Sequence, residues 1–141
     1  MKKLSTLLLL WVILLPVKAE EALSVVVNAD SDIETLTHGQ LVDIFMGRYR
    51  TFPNGQSVVV YENASDPLVQ EAFYRSLVNR SLAQVNAYWA RLQFSGRVRQ
   101  PEEIASVEAL SQRIGSSPSA ISFVRSSELT DTMKVVHRFG P

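Results

Sequence analysis

Residues 57–67 read SVVVYENASDP. The run at 57–61 is β-branched and aromatic after its opening serine, which is the composition of a buried strand. Asp66-Pro67 then opens a helix, because proline suits the first helical position and aspartate caps the free amides before it. A strand that passes within a few residues into a helix is the local unit of an α/β layer.

The alternation continues on both sides. Upstream, residues 23–28 (LSVVVN) read as a buried strand and residues 37–46 as a helix. Thr37 and Gln40 have capping-box spacing, Leu36 and Leu41 that of a hydrophobic staple, and Gly47 supplies the left-handed stop. Residues 48–56 form a loop around the Pro53-Asn54-Gly55 turn. Downstream, Val69, Phe73 and Leu77 share one face of the helix that Asp66 opens. Ser81 caps a helix carrying Leu82, Val85, Trp89 and Leu92, which ends before Ser95-Gly96. Ser106 caps another, with Gly115 as its expected stop. AISFV at 120–124 and KVVH at 134–137 are the remaining strands, and Glu102-Glu103 falls in a loop or short turn. Strands separated by helices and short loops predict an α/β domain with a mixed, mostly parallel sheet flanked by helices.

The amino terminus sets the compartment. Lys2 and Lys3 precede an apolar run over residues 4–15, Pro16 ends it, and Val17-Lys18-Ala19 offers the small residues of a V-x-A cleavage site. The run is shorter than the roughly 20 apolar residues of a spanning helix. The expectation is therefore a cleaved signal peptide over 1–19, a periplasmic domain over 20–141, and no membrane insertion afterwards. Removing 1–19 turns a neutral chain, with 14 basic and 14 acidic side chains, into an acidic one of net charge −3. An acidic domain lacks the field that holds nucleic acid non-specifically. The chain has no cysteine, so it has neither a thiol nucleophile nor a lipidation site, and its fold rests on packing alone.

Catalytic patterns are sparse. His38 and His137 lie in different elements without a carboxylate at metal-ligand spacing, no serine sits in a G-x-S-x-G turn, and no P-loop is present. The sequence therefore predicts no enzyme, no metal and no cofactor. Tyr88, Trp89 and Phe94 beside Arg91, Arg97 and Arg99 could stack on a ligand, but the helical spacing places Trp89 in the core. The chemically specific feature is the strand-to-helix passage Asn63-Ala64-Ser65-Asp66-Pro67, where free amides and the helix dipole favour an anion. Ser65 can donate its hydroxyl there. Asp66 brings a negative charge to the same place.

Leu36-Thr37 followed by Ile44-Phe45-Met46-Gly47-Arg48 resembles the LT…IF.GK signature of periplasmic phosphate-binding proteins of ABC transporters. Phe52-Pro53-Asn54-Gly55, the stretch AYWARLQFSGR at 87–97, and PSAISFV at 118–124 are similar to a short subfamily of phosphate-transporter substrate-binding proteins. The resemblance spans residues 36–124. It implies a single lobe of a periplasmic-binding-protein-like (class II) fold that holds phosphate or another oxyanion without transforming it. Full-length members close two lobes on phosphate, and a chain of this length implies only the second. The family's basic residue and glycine before the binding helix are replaced here by Tyr61-Glu62-Asn63-Ala64-Ser65-Asp66-Pro67, and Ser122 stands at a usual glycine. The expected ligand groups are Asn63 and Ser65, with Arg48 as the nearest candidate counter-charge. The implied partners are an ABC transporter permease or another envelope protein, or a second copy that completes the cleft as a dimer. The alternative function is an interaction or sensory module that docks a protein without binding phosphate.

Overall fold

In β1 (Leu23–Asn28) all six residues are buried, with Val25 and Val27 in one apolar cluster and Val26 in another. Successive residues of a strand point to opposite faces, so this strand lies between two covered layers. The structure is a computed structural model that describes residues 12–16, 21–96 and 98–140. The signal peptide expected over 1–19, with cleavage after Ala19, lies outside these residues except for 12–16, which form neither helix nor strand. Among the described residues no helix is long and apolar enough to cross a membrane.

The elements follow as α1 (His38–Phe45), β2 (Val59–Asn63), α2 (Pro67–Val78), α3 (Leu82–Phe94), β3 (Glu102–Ile104), α4 (Val107–Ser116), β4 (Ala120–Arg125) and β5 (Met133–Phe139). The sheet order is β3-β2-β4-β1-β5. β2 is parallel to both β3 and β4, and β1 is antiparallel to both β4 and β5. Four strands thus share one direction and β1 alone opposes them, giving the mixed, mostly parallel sheet expected. Helices α1, α2 and α3 cover one face, with Leu41, Phe45, Phe73, Leu77 and Trp89 in the larger cluster. Helix α4 covers the other with Leu110 and Ile114.

Helix α1 begins as its sequence demands. Thr37 Oγ1 accepts from the Gln40 amide at 3.2 Å, and Gln40 Oε1 accepts from the Thr37 amide at 2.9 Å. It ends at Met46 and Gly47, whose φ is +77°. A Cβ on Gly47 would come within 2.8 Å of Trp89 Cη2, which is itself buried. Gly47→Ala should therefore destabilise the fold by roughly 1–3 kcal/mol, combining left-handed backbone with overpacking. Gly55 also has positive φ but open space around it, so Gly55→Ala should lose less. Urea unfolding of the two variants measures the difference.

Several boundaries differ from the sequence expectation, and β5 runs over Met133–Phe139 rather than 134–137. Gly115 does not stop α4, which runs on to Ser116, because it lacks the positive φ of a left-handed stop; a Cβ there would lie 3.0 Å from Thr132 Cγ2. Glu102 and Glu103 are not loop residues but the edge strand β3, in parallel register with Tyr61 and Glu62 of β2. β2 itself starts and ends two residues later than 57–61, since the buried polar residues Glu62 and Asn63 continue the strand.

That extension shapes the site. The β2–β4 ladder comprises Val59↔Ala120 and Val60↔Ile121 only. Beyond it, side chains hold the seam: Ser122 Oγ donates to the Tyr61 carbonyl at 2.7 Å, and Asn63 Nδ2 donates to the Phe123 carbonyl at 2.9 Å. Ser122 and Asn63 are fully buried, so each of these bonds replaces a backbone pair that the diverging strands no longer make.

Candidate functional site

The carboxyl end of β2 leads into α2, and the short connection after β3 leads into α4. Both helix starts open on one shallow concavity of about 650 Å³, lined by Ser65, Asp66, Ser106, Arg125, Glu128 and Thr130 among others. Ser106 Oγ caps α4 by accepting from the Ala109 amide at 3.2 Å. Two helix amino termini and an arginine facing one hollow make a place where negative charge is stabilised.

The chain supplies that negative charge itself. Asp66 Oδ1 accepts from the Leu68 amide at 2.9 Å, and Asp66 Oδ2 accepts from Arg125 Nη2 at 2.5 Å. The Arg125 hydrogen bond, with the Leu68 amide behind it, holds the Asp66 carboxyl below its ordinary range, so it is ionised at neutral pH. Arg125 is held in turn above the usual guanidinium value, chiefly by the Asp66 hydrogen bond. Its other nitrogens meet Glu21 at 3.0 Å and Glu128 at 3.3 Å. One guanidinium thus faces three carboxylates, and the second oxygen of Glu128 is buried without a hydrogen-bond partner.

Asn63 and Ser65 come together beside this cluster. Asn63 Oδ1 accepts from the Ser65 amide at 3.1 Å and from Ser65 Oγ at 2.6 Å, while its Nδ2 is committed to Phe123. The Ser65 hydroxyl proton therefore already has an acceptor within the chain. Arg48 is not brought to this hollow. It follows the carboxyl end of α1, pairs with Asp43 at 3.3 Å, and lines a different concavity with Arg80 and Arg91. The cation beside Ser65 and Asp66 is Arg125, which sequence reading passed over. Its signal was its place as the last residue of β4, since ligands in open α/β sheets gather at strand carboxyl ends.

The histidines also meet, with ring centroids 6.3 Å apart. His38 Nε2 pairs with the Leu77 carbonyl at 2.6 Å and His137 Nδ1 with that of Leu36 at 3.1 Å, so each ring ties helix or strand to neighbouring backbone. Among the described residues no group of three histidine, cysteine, aspartate or glutamate side chains could hold a metal ion.

Solved structures share this fold. An ABC-type phosphate transport receptor from Vibrio cholerae superposes with a TM-score of 0.63 at 17% identity, covering 82% of this chain and 45% of the receptor. PstS from Borrelia burgdorferi gives a TM-score of 0.59 at 11% identity, covering 82% of this chain and 46% of the other. The chain spans less than half the length of these proteins, and the likeness is one of fold. No protein-family model and no curated protein matches the sequence.

Proposed function

We propose that this chain is a non-catalytic, periplasmic solute-binding-protein-like domain that meets an oxyanion such as phosphate at the hollow between the α2 and α4 amino termini. The observation that supports it is the Asp66 carboxylate, which holds a helix amide with one oxygen and a guanidinium with the other, as a bound oxyanion would. Asn63 and Ser65 are the nearest neutral polar side chains, and the Ser65 hydroxyl would have to leave Asn63 to donate to the anion; Arg125 takes the counter-charge role given to Arg48 in the sequence reading. The related fold of a phosphate transport receptor agrees with this choice of ligand. An entering anion must displace Asp66 and bind beside Glu21 and Glu128, so the native chain is a poor binder at neutral pH. A second copy or an envelope partner would supply the facing lobe that shields the ligand from water.

Calorimetric titration with phosphate tests the reading. The native protein should bind no tighter than millimolar, and Asp66→Asn should bind about tenfold tighter, because asparagine still caps α2 but removes the competing charge. No heat from either protein at tens of millimolar phosphate overturns phosphate binding. That result would favour the second reading, which the three carboxylates around Arg125 already support. In it, the lobe docks a protein such as a transporter permease without binding phosphate.

A further inference from the structure

The concavity that receives Arg48 combines an apolar floor with a cationic rim. It lies between α1, the end of α2 and α3, with a volume of about 350 Å³, inside the range of about 300–1,000 Å³ usual for small-molecule sites. Its floor is apolar, with Met46 and Val85 buried and Val42 and Val78 half-buried. Its rim carries Arg48, Arg80 and Arg91. Among the described residues Arg80 and Arg91 make no ion pair, and Arg48 makes only the exposed one with Asp43. Gln84, Tyr88 and Arg91 follow one another at helical spacing along the wall that α3 presents. Tyr88 donates its hydroxyl to the Met46 carbonyl at 2.7 Å, which fixes that wall to α1.

The wider charge pattern points the same way. Residues 72–101 contain five arginines and neither aspartate nor glutamate, in a chain whose total charges balance. Of these, Arg80 and Arg91 line the concavity, where with Arg48 they focus a positive potential. Guanidinium groups match phosphate oxygens in planar, paired hydrogen bonds. An apolar floor adds nothing for bare phosphate but shelters a hydrocarbon or aromatic group attached to it.

We propose that this concavity is a binding site for an anion that carries an apolar group, with the charge held by Arg80 and Arg91 and the apolar part laid on Met46 and Val85. The site is separate from the hollow at Asp66 and shares no lining residue with it. A soluble organic phosphate and an anionic lipid headgroup offer the same chemistry, and experiment separates them. The competing explanation is that Arg48 and Arg80, which follow the carboxyl ends of α1 and α2, only offset the helix dipoles. That role predicts lower melting temperatures on substitution and no ligand.

The test titrates the full protein with phenyl phosphate and with inorganic phosphate, and sediments it with phosphatidylglycerol vesicles. Phenyl phosphate should bind at least about tenfold more tightly than inorganic phosphate. Arg80→Gln/Arg91→Gln should weaken it by at least about tenfold, because both guanidinium groups that hydrogen-bond the phosphate are then gone. Both arginines are exposed, and Arg91→Gln alone provides a readout with minimal effect on folding. Vesicle binding that is lost in the double variant, without phenyl phosphate binding, identifies the lipid as source. Failure of both probes, or binding that survives the double variant, overturns the proposal. Neither outcome bears on phosphate at Asp66, which is read from inorganic phosphate and Asp66→Asn.

Discussion

Phe73→Ala is expected to lower the unfolding free energy by about 3–5 kcal/mol. Phe73 is fully buried on α2 and joins most of the larger core. Its ring stacks on Phe123 of β4 with centroids 3.8 Å apart and planes 6° from parallel. It meets Phe45 of α1 edge-on at 4.8 Å, Tyr74 at 5.2 Å and Phe139 of β5 at 6.1 Å. Truncation removes the transfer free energy of the ring, leaves a cavity that four other rings cannot collapse into, and forfeits aromatic pairing of about 0.5–1.5 kcal/mol per pair. Small domains have about 5–15 kcal/mol in total, so a large part of the stability goes with this one ring. Urea unfolding followed by circular dichroism measures it, and Phe73→Leu, which keeps most of the volume, should cost less. A loss below about 1 kcal/mol for Phe73→Ala would mean that the core can close around the gap.

The second large effect is a pH dependence centred on Glu62. This residue is 6% exposed; Tyr74 donates its hydroxyl to Oε2 at 2.5 Å and Gln70 donates to Oε1 at 3.1 Å. Burial raises its carboxyl above the ordinary value of 4.5 and outweighs the two hydrogen bonds that pull it down, and Glu103 on the neighbouring strand pushes it further up. Burial likewise raises the Tyr74 hydroxyl, followed by the Glu62 charge, so the phenol remains a donor. The folded state therefore favours protonated Glu62. The stability from this group is complete below the ordinary carboxyl value and is lost as pH rises through the raised one. Glu62→Gln should remove that dependence, so the native protein loses ground to the variant between pH 4 and 8. Tyr74→Phe should cost about 1–3 kcal/mol by stranding a buried oxygen, and more at pH 8 than at pH 4. Denaturant titrations across that range decide it, and a flat difference between native and Glu62→Gln would show that Glu62 titrates as an exposed glutamate does.

These residues show what could and could not be read before folding. The capping box at Thr37, the proline start of α2 and the buried valines of β1 rest on local spacing, and local spacing is written in the chain. The end of β2 was missed because an apolar run reports burial only through apolar residues, whereas Glu62 and Asn63 are buried by finding partners on α2 and β4. The strand β3 has two exposed glutamates in three residues and exists through backbone pairing to β2 alone, so no side-chain period announces it. The anion-favouring turn at 63–67 was legible as chemistry. Its counter-charge was not, since Arg125 reaches Asp66 across 59 residues of sequence, whereas the expected Arg48 pairs with Asp43.

The reversed strand β1 has a consequence for the order of folding. It sits inside the sheet, bonded along one edge to β4 and along the other to β5, so the first strand made is completed by the last two. Neither edge can pair until residues 120–139 are at hand, and closing so long a loop makes such pairings slow to form. Until then LSVVVN is an unpaired, apolar, uncharged segment of the kind that seeks other chains.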